Sequence, residues 1–143
     1  MNKVSVIILA LLYFSPATFA QDSIQARIVL IGDAGKLSKD GRQPVVTGAR
    51  QTIPFDNKTT VIYLGDNLYK TGLPDDAMPT YTIAKAPLDS QANIADGTNA
   101  KVYFIPGNHD WNNGEPHGWD AIKRQQYYID LLSKNNVKLL PQD

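Results

Sequence analysis

Three short motifs carry the residue types that could do chemistry: Gly32-Asp33-Ala34-Gly35, Gly65-Asp66-Asn67-Leu68-Tyr69 and Gly107-Asn108-His109-Asp110. Asp33 and Asp66 are carboxylates, and two carboxylates close together repel unless something positive sits between them. A pair of metal ions meets that requirement, and one carboxylate can bridge both ions at a separation of about 3.5–4 Å. Tyr69 follows Asp66 by three residues. A phenol is a poor ligand for zinc or magnesium, but as phenolate it suits a hard, highly charged ion such as ferric iron. Asn108 offers a neutral carbonyl oxygen, and His109 can either bind metal or act as an acid beside it.

Each motif follows a short apolar run. Residues 26–31 (Ala-Arg-Ile-Val-Leu-Ile), 60–64 (Thr-Val-Ile-Tyr-Leu) and 101–105 (Lys-Val-Tyr-Phe-Ile) read as strands, and 137–140 as the start of a fourth. Nearly unbroken apolar runs predict interior strands of a sheet covered on both faces. Between them, residues 45–51 predict a short helix bounded by Pro44 and Pro54, and 81–96 a second, weakened by Pro87. The clearest helix is predicted over 119–133, with Trp119, Ile122, Ile129 and Leu132 on one face. Strands alternating with helices predict an α/β fold with mostly parallel strands. In such sheets ligands bind at the carboxyl ends of the strands, where all three motifs fall.

Composition sets the frame. A chain of 143 residues with 43% hydrophobic and 20% charged residues is an ordinary globular protein. Its formal net charge of zero argues against electrostatic capture of nucleic acid. Residues 1–20 read as a signal peptide: Lys3, an apolar run over 4–14, Pro16, and small residues at 18 and 20 that predict cleavage after Ala20. The apolar run is too short to span a membrane comfortably. Residues 21–143 form the predicted domain. With no cysteine, the exported chain relies on core or metal rather than disulfides, which fits a bacterial periplasm or cell surface.

The three motifs, in this order and spacing, resemble the calcineurin-like metallophosphoesterase superfamily. The Gly-Asp-x-Gly and Tyr69 variants look like its purple, tartrate-resistant acid phosphatase branch, closest over Gly65 to Gly72, and the stretch from Gly107 to Gln126 looks like bacterial secreted members. The resemblance implies the N-terminal half of a four-layer α/β/β/α sandwich. It implies a binuclear centre of Fe(III) with Fe(II), Zn(II) or Mn(II), in which Asp33 and Tyr69 bind the ferric ion, Asp66 bridges and Asn108 binds the second ion. His109 would contact the phosphoryl group or help protonate the leaving group. A metal-bound hydroxide would then hydrolyse phosphate esters, phosphomonoesters foremost.

The family completes its site with three further histidines, whereas this chain has only His109 and His117. The chain therefore reads as an N-terminal fragment whose partner is the missing C-terminal half, poorly stable and nearly inactive alone, with apolar sheet surface left uncovered. A rival reading keeps the fold and drops catalysis: an exported binding or adhesion module retaining half of a metal site. A dinucleotide-binding domain is opposed by the spacing of Gly32-Asp33-Ala34-Gly35, which is not Gly-x-Gly-x-x-Gly. Taken singly, Asp33 and Asp66 are also ordinary turn residues. Tyr69 is also a plausible packing aromatic, Asp110 a residue supporting His109, and Trp111 and Trp119 core or loop anchors.

Overall fold

The structure is a computed structural model that describes residues 24–142. The predicted leader lies outside the described residues. Four strands, β1 (Arg27–Ile31), β2 (Thr59–Tyr63), β3 (Lys101–Phe104) and β4 (Val137–Leu139), form one sheet in the order β1-β2-β3-β4. Every neighbouring pair is parallel. Three helices connect them: α1 (Pro44–Thr52), α2 (Tyr81–Ala92) and α3 (Gly118–Leu131). The chain is an α/β fold with a parallel sheet and flanking helices, as the alternation of patterns predicts.

Register explains why the motifs share one rim. Ile31 pairs with Tyr63, Tyr63 with Phe104, and Phe104 with Leu139, so these four residues form a row across the sheet at its carboxyl end. All four are buried, and the Tyr63 and Phe104 rings stack with centroids 4.8 Å apart. Fully burying a side chain of this size contributes about 1.5–3 kcal/mol. The row anchors the point at which Gly32, Gly65 and Gly107 leave the sheet.

The helices share one core with this face. Val46 of α1, Leu88 of α2, and Ile122 and Ile129 of α3 cluster with Val61, Tyr63, Val102, Phe104, Val137 and Leu139. Proline at the first turn suits α1, because its missing N–H would have no helical partner there. Pro87 lies inside α2 without ending it. The adjoining Leu88, Gln91 and Ala92 are buried, so tertiary packing offsets the lost hydrogen bond. A short 3-10 turn, Asn93–Ala95, completes that connection.

The expectation of a sheet covered on both faces is not met among the described residues. Ile28 and Leu30 are 65% and 59% exposed, while Val61 and Val102, on the other face, are fully buried. The open face also carries Ile62 and Tyr103, both half-buried. Strands with apolar residues on both faces thus have only one face covered here. Trp119 also departs from expectation: it is 54% exposed, whereas Ile122 and Ile129 of the same helix are buried.

Candidate metal centre

Tight backbone approach builds the site. The Asp33 N–H donates to the Gly65 carbonyl at 3.2 Å, and the Gly35 N–H to the Asp66 carbonyl at 2.9 Å, joining the first two motif loops. A Cβ on Gly35 would lie 2.5 Å from the Asn67 carbonyl carbon. One on Gly107 would lie 2.4 Å from both the amide nitrogen and Oδ1 of Asp66. No side chain fits there without moving the neighbouring backbone, which is the physical need for glycine at these two positions. Asp33 and Asp66 themselves hold left-handed backbone, with φ of 55° and 52°. Aspartate tolerates this better than most residues, and the constraint turns both carboxylates out of their strands.

The carboxylates meet at a phenol. The Tyr69 hydroxyl lies 2.7 Å from Asp33 Oδ1 and 3.0 Å from Asp66 Oδ2. Its hydrogen bond to Asp33, then desolvation and Asp66, push its pKa far above that of an ordinary phenol. The proton is thus held between anions, where a cation would compete for the same oxygens. The other Asp66 oxygen, Oδ1, accepts the His109 N–H at 3.2 Å. The His109 ring lies beside Tyr69, centroids 4.4 Å apart, with Nε2 4.0 Å from Asp66 Oδ2 and Nδ1 2.7 Å from the Lys70 carbonyl. That carbonyl requires Nδ1 to carry the proton, leaving Nε2 free to accept one or to bind.

Asp33, Asp66, Tyr69 and His109 are therefore brought together. Asn108 stands slightly apart: it is exposed, and its side-chain amide donates to Asn113 Oδ1 at 3.1 Å. Asn113 in turn donates from Nδ2 to the Lys70 carbonyl at 3.1 Å and from its backbone N–H to the Asn108 carbonyl at 2.7 Å. Its role is not visible in the sequence beyond a turn-prone Asn-Asn-Gly, because it depends on contacts with a distant loop.

Asp110 does not support the His109 ring. It is fully buried, and its carboxylate accepts the N–H groups of Gly107 at 2.8 Å, Asn67 at 3.0 Å and Leu68 at 3.1 Å. Burial raises its pKa, against the lowering effect of those amides. It ties the second motif to the third. Two buried glutamines extend the bracing: Gln91 donates to the Asn67 carbonyl at 3.0 Å, and Gln43 to the Ala34 carbonyl at 2.5 Å. His117 sits at the start of α3, exposed, with Nδ1 3.3 Å from Asp120. It takes no part in the cluster.

Among the described residues, no three His, Cys, Asp or Glu side chains group as a metal site. The oxygen set here is two carboxylates, each within hydrogen-bond distance of one phenol oxygen, and all three are hard donors. That donor chemistry fits a hard cation.

The family model for calcineurin-like phosphoesterases matches residues 26–141. Neither curated proteins nor solved structures give a match.

Proposed function

The chain belongs to the calcineurin-like phosphoesterase family, and from its site we propose hydrolysis of phosphate esters, phosphomonoesters foremost, at a binuclear centre of the purple acid phosphatase kind. The observation that carries this reading is the Tyr69 hydroxyl set between Asp33 and Asp66. Asp33 and Tyr69 would hold a ferric ion, Asp66 would bridge to Fe(II), Zn(II) or Mn(II), and Asn108 would turn its carbonyl oxygen to the second ion. When bound, the metals supply charge neutralisation and a lowered pKa for water. In the overall reaction water oxygen bonds to phosphorus, the bond from phosphorus to the ester oxygen breaks, and the alcohol leaves with a proton.

The chain's own residues account for the remaining tasks. The Lys70 carbonyl fixes the His109 ring through Nδ1, so Nε2 is the atom that would contact a phosphoryl oxygen or deliver the proton to the leaving group. Asp66 has Oδ1 held by the His109 N–H, which leaves Oδ2, facing the Tyr69 oxygen, as the atom that would turn to the metals. We read these residues as one side of the centre, with its histidine ligands contributed from outside the described residues. The apolar run at 4–14 supports action outside the cytoplasm. Among the described residues no helix is long and apolar enough to cross a membrane.

Tyr69→Phe tests the metal assignment. Iron-loaded wild type is expected to show a visible phenolate-to-iron band, and the variant to lose it. A band that survives in Tyr69→Phe would remove Tyr69 from the centre, and an iron-loaded full-length protein, with the histidine ligands present, that shows neither band nor phosphate release would sink the reading.

A further inference from the structure

A second feature lies on the same rim, one strand over. A cleft of about 620 Å³ opens between α3, the residues leaving β3 and those leaving β4. Pro106 lines it, immediately before Gly107, and so does Trp111, immediately after Asp110. The Trp111 N–H donates to the Gly107 carbonyl at 3.2 Å, so its wall is built from the same turn that carries Asn108 and His109. The volume lies within the range of about 300–1,000 Å³ typical of small-molecule sites.

The wall is aromatic by construction. A Cβ on Gly118 would lie 2.3 Å from the Trp111 carbonyl oxygen, so only glycine lets α3 start against that turn. This close approach sets Trp119 against Trp111, rings 5.7 Å apart and 15° from parallel. Both indoles remain open to solvent, Trp111 at 38% and Trp119 at 54%. Large flat rings held rigid but uncovered offer faces on which another ring can stack. Three of the polar side chains at the cleft have partners. Lys123 contacts Asp120 at 2.7 Å, Gln126 donates to Asp130 at 3.0 Å, and Gln142 accepts from Lys138 at 3.1 Å. Asp130, whose hydrogen bonds come from the neutral Gln126 amide, would repel an anion, so the cleft favours a flat ligand without negative charge.

We propose that the Trp111–Trp119 cleft is a leaving-group subsite, taking the aryl group of an aryl phosphomonoester while its phosphate lies at Asp33, Asp66 and His109. This rests on the phosphoesterase reading above. On hydrolysis the bond from phosphorus to the aryl oxygen breaks, water oxygen takes its place on phosphorus, and the phenol departs protonated from the cleft.

The test uses the full-length chain, with two independent readouts. The first is kcat/KM for phenyl phosphate against ethyl phosphate. Trp119→Ala is expected to lower the phenyl-to-ethyl ratio roughly three- to tenfold, the range of an aromatic contact, while Trp119→Phe restores it. The second is indole fluorescence titrated with phenol, read as the difference between wild type and Trp119→Ala, which isolates the signal of this cleft. A saturable change in wild type, lost in Trp119→Ala, supports the subsite. An unchanged ratio in a folded Trp119→Ala overturns it, and is also the result if another stretch of polypeptide fills the cleft. If neither ester is hydrolysed, the phosphoesterase reading fails, and the phenol titration still decides whether the cleft takes an aryl group.

Discussion

Asp66→Asn is expected to abolish phosphate release and to strip most metal from the protein. The substitution keeps shape and removes charge at the residue that both neighbouring groups use. In wild type one Asp66 oxygen accepts from Tyr69 and the other from the His109 N–H. An amide has a single acceptor oxygen. Whichever way it turns, an NH₂ group faces either the His109 N–H or the Tyr69 hydroxyl. Only the hydroxyl can rotate to accept, so the amide oxygen stays on His109 and the NH₂ points to where the cation would sit. Loss of several kcal/mol of charge stabilisation corresponds to a rate decrease on the order of a thousandfold. Metal analysis of the purified variant, alongside phosphate release, checks both parts. Wild-type metal content in Asp66→Asn would end the bridging assignment.

Asp110→Ala is expected to be the most destabilising single change in the site region. The carboxylate accepts three backbone N–H groups from two loops and is itself fully buried. Truncation leaves those donors without partners in a dry interior, at about 1–3 kcal/mol each. Removing a buried carboxylate, whose ionisation burial already disfavours, offsets part of that cost. A net loss of about 3 kcal/mol is the expected outcome. Asp110→Asn, which keeps an acceptor oxygen, should lie between the alanine variant and wild type. Urea unfolding of the three proteins gives the order, and equal midpoints would show that the loops are held by something else. Because the bracing joins the loop of Asp66 to that of His109, metal affinity is expected to fall along with stability.

The parallel sheet was legible because each of the first three strands is a run rich in β-branched and aromatic residues stopped by a glycine. Residues 101–105 show this plainly, ending at Pro106-Gly107. Which face is bare was not legible from periodicity, although the resemblance implied that apolar sheet surface would be left uncovered. Ile28, Leu30 and Ile62 are as apolar as the buried residues beside them, and periodicity cannot distinguish a covered apolar face from an open one. The same blindness placed Trp119 on the packed face of its helix, where its exposure depends on Trp111 rather than on helical spacing.

The cluster of Asp33, Asp66, Tyr69 and His109 followed from strand-end placement alone. What holds it did not. Gln91 contacts Asn67 from 24 residues away, and Asp110 reaches Asn67 across 43. No local pattern marks such residues, since a buried glutamine in a helix looks like a surface one until its neighbours are known.

The central claim is that this site hydrolyses phosphate esters through bound metal. It is tested most directly by release of inorganic phosphate from phenyl phosphate by the full-length protein, measured as purified, after chelation, and after return of iron with zinc. The account predicts turnover that chelation removes and the metals restore. Turnover indifferent to chelation, or none with any metal returned, would contradict it.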